Sequence, residues 1–269
     1  MIAFTKMHGA GNDFIMIAPD AWPAAGLNRR EIAQLCDRRL GVGADGLITL
    51  AAVPEPDVAF RMVYFNADGG EAEMCGNGAR CSVAFAHELG LVGSSCRFRT
   101  QAGLHEGTWH GPGDIEVSLP GWQGLELDLA DLTGDRAGVH ACHTGVPHLV
   151  IPVADVERID VVREGAALRH DARFAPAGTN VNWVSRRPDA DEFLMRTYER
   201  GVEDETLACG TGAAAIAVVL CRLGQSESPV ALRTRGGDLL RVGIDTEAGI
   251  LHLRGPAVTS FTGEVAIDD

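Results

Sequence analysis

The chain has 269 residues, 46% of them hydrophobic, and a formal net charge of −14. That length gives enough interior for one or two domains, and the strong acidic excess without a basic cluster excludes nucleic acid and anionic membranes as partners. No apolar run approaches the length of a membrane span, and the first residues show no apolar stretch with a cleavage site, so neither a span nor a secretory signal is read. In chain order, a strand carrying Lys6 opens the pattern, followed by the apolar stretch FIMIA at 14–18. A helix over 31–39 comes next, with Asn28 and Glu31 spaced as a capping box. The strand VAFRMVYF at 58–65 leads through a glycine-rich turn into a long helix at 76–90, closed by Gly90. IEVSL at 115–119 reads as another strand. After Pro120-Gly121 the order repeats: strands LVIPV at 149–153 and FLMRTY at 193–198, then a helix at 210–224 that is apolar on nearly all faces.

Sliding the sequence against itself by 134 residues explains the repetition. Cys75 falls on Cys209, Gly76 on Gly210, Gly78 on Gly212, Glu71 on Glu205, and Tyr64 on Tyr198, the only two tyrosines. A long repeat present twice means two similar domains. We therefore expect an α+β protein of two pseudo-symmetric duplicated domains, each a curved mixed β-sheet or barrel around a central helix. The halves are 1–120 and 121–260, with a last strand at about 261–269 able to return to the first.

Lys6 is the only lysine. It lies in no phosphate-binding loop and in an apparent strand, which removes pyridoxal phosphate and P-loop chemistry. The seven cysteines contain no CxxC and read as reduced cytosolic thiols. Two of them matter more. Cys75 and Cys209 each stand immediately before Gly-x-Gly at the start of a long helix, where the helix dipole and unused N–H groups stabilise a thiolate. A single such cysteine reads as a small core residue. Two kept in register by a duplication would present thiols from opposite walls of one cleft. One sulfur could take a proton from a planar carbanion's precursor while the other returned one to the opposite face, giving racemisation or epimerisation. A redox disulfide pair is the alternative on the same residues.

The motifs KMHGAGNDF at 6–14, FNADG at 65–69, CGNGAR at 75–80, PH at 147–148, YERG at 198–201 and ACGTG at 208–212 together resemble the diaminopimelate epimerase family. The resemblance covers essentially the whole chain. It implies cofactor-independent interconversion of LL- and meso-diaminopimelate, in lysine and cell-wall synthesis, with Cys75 and Cys209 as the acid–base pair. It further implies that His148 and Glu199 tune them, and that Asn12, Asn66, Gly76, Asn77, Asn180, Glu199, Arg200, Gly210 and Thr211 bind substrate. A small-molecule substrate, a homodimer, a cytoplasmic location and no metal complete the expectation. Chemistry agrees for Arg200, a bidentate clamp for a carboxylate, and for Glu199, an acceptor for an ammonium. Two positions depart from the family pattern. Gly46 stands where some members carry glutamine, and Val146 where some carry asparagine, so each of two substrate-contact pairs keeps a polar side chain in only one half. That leaves a racemase of another amino acid, of histidine or hydroxyproline type, as the alternative in this fold. A non-catalytic amino-acid binder or thiol-redox protein is the alternative outside it.

Three other signals read as structure. The GxGxxG at 41–46 has a helix before it and a strand after, the reverse of a dinucleotide site. His140, Cys142, His143 and His148 have tolerable metal spacing but no second ligand group. VEDET at 202–206 reads as a solvated loop beside the site.

Overall fold

The computed structural model describes residues 1–129 and 138–267. In chain order the elements are β1 (Ile2–Gly9), β2 (Asn12–Ile17), α1 (Arg29–Cys36), β3 (Gly46–Ala51), β4 (Phe60–Asn66), β5 (Glu71–Ala72), α2 (Gly76–Glu88), β6 (Ser95–Thr100), β7 (Gly103–Gly111) and β8 (Asp114–Pro120). There follow β9 (Gln123–Glu126), β10 (His140–His143), β11 (Pro147–Pro152), α3 (Val161–Arg169), β12 (Asn180–Arg186), β13 (Phe193–Glu199), β14 (Asp204–Thr206), α4 (Gly210–Arg222), β15 (Val230–Arg233), β16 (Leu239–Asp245), β17 (Ile250–Gly255) and β18 (Val258–Val265). The chain divides into two compact units, Met1–Val117 with the C-terminal segment from Gly255, and Ser118–Arg254.

In the first unit, β1 and β2 form a hairpin whose two turn residues, Ala10 and Gly11, both have positive φ (57° and 97°). The helix α1 carries β2 over to the parallel strand β3, and β4 returns antiparallel. β18 lies antiparallel against β1, starting ahead of the 261–269 read from the sequence; positions 268–269 of that stretch lie outside the described residues. α1 starts with the capping box: Asn28 accepts from the N–H groups of Arg30 and Glu31, and Glu31 accepts from Asn28 N–H at 2.7 Å. The helix ends at Cys36, earlier than the sequence pattern suggests, because Asp37 turns to an extended conformation. α2 packs among β1, β2, β3, β4 and β7, and every residue from Gly76 to Ala86 is buried.

The second unit repeats this plan. α3, which the sequence reading did not identify, carries β11 to the parallel strand β12, and β13 returns antiparallel. Phe14 pairs with Gly46 in the first unit, and His148 with Asn180 in the second, both partners displaced by 134. α4 is enclosed by β10, β11, β12 and β16, and its run Ala213–Leu220 has no side chain more than 1% exposed. Full burial suits its composition, since a helix apolar all round has no face to give to water.

The tyrosine coincidence does not survive in three dimensions. Tyr64 lies opposite Ile48, whereas Tyr198 lies opposite Val181 rather than opposite Asn182, the counterpart of Ile48. A one-residue slip along a strand moves a side chain to the other face. Tyr64 accordingly meets Phe14 edge-on at 5.9 Å, beneath α2. Tyr198 instead joins Val181, Trp183 and Leu149 in the cluster under α3, where a Cβ on Gly165 would come within 2.4 Å of it. The structural counterpart of Tyr64 is Thr197.

Candidate active site

In the first unit Cys75 is the N-cap of α2, with an extended backbone (φ −135°, ψ 120°). Asn77 in the first helical turn donates to Asn12 Oδ1, and Asn12 Nδ2 donates to Asp45 Oδ2 at 3.0 Å. Arg80 Nη2 donates to Asn77 Oδ1 at 2.9 Å from a fully buried guanidinium. Each asparagine amide keeps one N–H beyond these bonds, so both are held in place yet can still donate. The hairpin approaches closely enough that a Cβ on Gly9 would lie 2.8 Å from the Asn77 carbonyl oxygen. Asn66, also expected at the site, stands exposed at the end of β4, where its N–H donates to Gly70 O at 2.9 Å.

An ion network braces this hairpin. Lys6 is buried, pairs with Asp13 at 2.7 Å and donates to Gly43 O; Arg38 bridges Asp13 and Asp45, both at 2.7 Å. Burial would raise the Asp13 carboxyl, but hydrogen bonds and charge from Arg38 and Lys6 outweigh it and hold it at about 2. The sole lysine is thus committed to structure. The GxGxxG run is the turn from α1 into β3 and supplies the carbonyl that Lys6 needs.

In the second unit Cys209 is the N-cap of α4, buried, and its Sγ accepts from Gly212 N–H at 3.4 Å. Thr211 Oγ1 lies 3.5 Å from the same sulfur, and the Thr211 carbonyl accepts from Thr144 Oγ1 at 2.9 Å. Asn180 ties two backbones, donating to Pro147 O at 3.0 Å and accepting from Arg200 N–H at 2.8 Å. Glu199, at the end of β13, accepts from Thr206 Oγ1 at 3.0 Å. His148 is fully buried; desolvation first, then the charges of His143 and Arg200, push it down to about 3, so the ring is neutral. Its Nδ1 accepts from Asn182 Nδ2 at 3.1 Å, and its Nε2 has no partner among the described residues. Burial pushes the thiols of Cys36, Cys96 and Cys142 up to about 11 and that of Cys81 up to about 12.

Sequence reasoning missed Asn182 and Thr197. The offset of 134 carries a signal for Asn182, because it sets that residue against Ile48. VEDET is exposed at Val202, Glu203 and Asp204, while Asp204–Thr206 forms the short strand β14 and two carboxylates of the run are ion-paired. Glu205 accepts two bonds of 2.6 Å from Arg196, and Glu203 bonds Arg169 at 3.0 Å. Gly46 is a strand residue, not a loop residue. A Cβ there would meet Phe65 O at 2.4 Å and the Tyr64 ring at 2.6 Å, so Tyr64 fills the space a glutamine would take. His140 accepts from Asp128 N–H at 3.1 Å. Among the described residues no group of three or more histidine, cysteine, aspartate or glutamate side chains could hold a metal ion, and no helix is long and apolar enough to cross a membrane.

Solved structures share this fold at low identity. A probable proline racemase from Agrobacterium radiobacter K84 superposes with a TM-score of 0.75 at 17% identity, covering 100% of this chain and 94% of that one. A hydroxyproline epimerase from Agrobacterium vitis gives 0.73 at 17% identity, covering 100% and 93%. Sequence relatives are nearer. The diaminopimelate epimerase of Aquifex aeolicus is 39% identical over 272 residues, 98% of this chain and 97% of its own. That of Chlorobaculum tepidum is 39% identical over 270 residues, 97% and 100%. The Diaminopimelate epimerase family model matches residues 4–120 and 140–259, and with its two N-cap cysteines on duplicated helices this chain belongs to the diaminopimelate epimerase family.

Proposed function

We propose that the chain interconverts LL- and meso-2,6-diaminopimelate without a cofactor, using Cys75 and Cys209 as its two bases. The observation that carries this reading is the equivalence of those residues: each caps the corresponding buried helix of its unit, immediately ahead of Gly-x-Gly. The relatives named diaminopimelate epimerase, matched over nearly their full length, support the substrate.

One cysteine, as thiolate, removes the α-proton; the other, as thiol, delivers its proton to the opposite face of the same carbon. The S–H bond formed on one side balances the S–H bond broken on the other, and the two protonation states exchange at each turnover. First-turn amides at Gly76-Asn77 and Gly210-Thr211 have no helical acceptor and suit the α-carboxylate. As the proton leaves, charge moves onto that carboxylate, and fixed N–H donors stabilise it more than the ground state. Asn12 and Asn77 are held with donors to spare. Asn66, Asn180, Glu199 and Arg200 would read the distal amino-acid end, Glu199 accepting from the ammonium and Arg200 facing the carboxylate. His148, neutral, serves as a donor and not as a base. A homodimer and a cytoplasmic location belong to the same reading, on the family resemblance alone.

The test is NMR in deuterated water with LL-diaminopimelate under reducing conditions. Wild type should give the meso form with deuterium at one α-carbon, and Cys75→Ala and Cys209→Ala should each lose it. No exchange by wild type would refute the activity. If it appears instead with a proline derivative or histidine, the substrate changes and the two-thiol chemistry stays.

A further inference from the structure

Beneath α4 lies a layer of three buried polar side chains that touch one another. Thr197 Oγ1 donates to Asn182 Oδ1 at 2.9 Å, and Asn182 Nδ2 donates both to Leu149 O at 2.8 Å and to His148 Nδ1 at 3.1 Å. The Leu149 carbonyl can only accept, which orients the Asn182 amide, and both amide hydrogens are then used. Asn182 and His148 are 0% and 1% exposed. The duplication supplies an internal control. The counterparts in the first unit are Phe14, Ile48 and Tyr64, whose two hydrocarbon side chains and phenol ring fill the same layer beneath α2. Packing therefore does not require an amide or an imidazole here, and burying those groups costs free energy that Phe14 and Ile48 avoid.

From this we infer that Asn182, held by Thr197, is a positioning residue that fixes His148 as the neutral tautomer with its proton on Nε2. The inference rests on the reading of Cys209 as a reacting group. Because Nδ1 is occupied as an acceptor, the proton of the neutral ring must sit on Nε2, and that N–H is the atom left without a partner among the described residues. A buried N–H in want of an acceptor favours a nearby anion. The same amide reaches the helix that carries Cys209. A Cβ on Gly212 would lie 2.3 Å from Asn182 Oδ1, and Gly212 N–H donates to Cys209 Sγ at 3.4 Å. His148 thus supplies a fixed donor without itself exchanging a proton with substrate.

The deciding measurement is the ring-nitrogen NMR spectrum of His148 in 15N-histidine-labelled wild-type protein, assigned with His148→Gln. The expected spectrum shows a protonated Nε2 and a bare Nδ1, unchanged from pH 8 to pH 5. A proton on Nδ1, or an imidazolium forming in that window, overturns the inference even if every variant fails to fold. Asn182→Asp, which puts an acceptor against Nδ1, should move the proton to Nδ1 and lower kcat about ten- to a hundredfold, the scale of lost outer-shell partners, with KM little changed. Asn182→Ile, which installs the first unit's residue, should lower kcat similarly. If it keeps both the tautomer and kcat, Asn182 is only packing. Because the tautomer is read without substrate, absence of diaminopimelate turnover by wild type would refute the activity and leave this result standing.

Discussion

The glycine pair Gly78 and Gly212 gives the sharpest comparison, because the same substitution meets different neighbours in the two halves. Alanine in place of a helical glycine gains up to about 1 kcal/mol in propensity. At position 78 the new methyl would come 2.8 Å from Ile48 Cδ1 and 3.2 Å from Met62 Cε, both ends of flexible side chains that can swing aside. Gly78→Ala should therefore change stability by less than about 1 kcal/mol in either direction. At position 212 the methyl would come 2.3 Å from Asn182 Oδ1. Asn182 has no freedom to yield, since it is bound to Thr197, Leu149 and His148 at once. Displacing it loses two or three buried hydrogen bonds, at about 1 kcal/mol net each and more for a group left unpaired. After the propensity gain, Gly212→Ala should destabilise by about 2–4 kcal/mol. At roughly 2–4 °C per kcal/mol, the melting temperature should fall by about 5–15 °C. Urea and thermal unfolding of both variants, with kcat measured alongside, test the comparison. Gly212→Ala as stable and active as Gly78→Ala would refute the packing of Asn182 against α4.

Two further outcomes concern the first unit. The Asp13 carboxyl, held at about 2 against an ordinary 3.8, contributes about 2 kcal/mol to folding. Because its folded value is depressed, that contribution is complete above pH 4 and disappears as pH falls towards 2. Asp13→Asn should cost about 3–5 kcal/mol at pH 7, since it leaves Lys6 buried without its anion. The difference between wild type and variant should shrink between pH 5 and pH 2; a gap independent of pH in acid-urea titrations would refute the assignment. Asn28→Ala removes the acceptor for the Arg30 and Glu31 N–H groups and should cost about 1 kcal/mol by urea unfolding. A change of less than a few tenths would show that α1 does not depend on its box.

What the sequence made legible was whatever recurs at a fixed spacing. The two cysteines, the glycines after them and the long helices all follow from the offset of 134, since backbone geometry at a helix start constrains residue type directly. Asn28 and Glu31 were readable for the same reason: capping is local. Contacts that depend on strand register were not. The pairing of Tyr64 with Tyr198 looked compelling, yet a shift of one residue in β13 sent them to opposite faces. Nor could the sequence show that Gly46 faces the Tyr64 ring or that Lys6 is spent on Asp13 and Gly43. Those are tertiary facts between residues 7, 18 and 37 positions apart. α3 was missed because its short run Val161–Arg169 has only a narrow apolar stripe, with Val161 and Gly165 buried.

The duplication also argues that the two cysteines are not interchangeable. Around Cys75 the polarity comes from the helix: Asn77 and Arg80 are buried in α2, over a layer containing Phe14, Ile48 and Tyr64. Around Cys209 it comes from the strands: His148, Asn182 and Thr197 lie beneath α4, whose counterparts of Asn77 and Arg80 are Thr211 and Ala214. One unit therefore carries a guanidinium in the early turns of its cysteine's helix, and the other a neutral imidazole in the strand layer beneath its helix. A symmetric substrate carbanion would need no such difference. In the proposed reaction only one of two stereocentres is inverted, so the two directions start from diastereomers and not from mirror images. Divergent support of matched cysteines is what a fold built by duplication can acquire while its backbone stays in register.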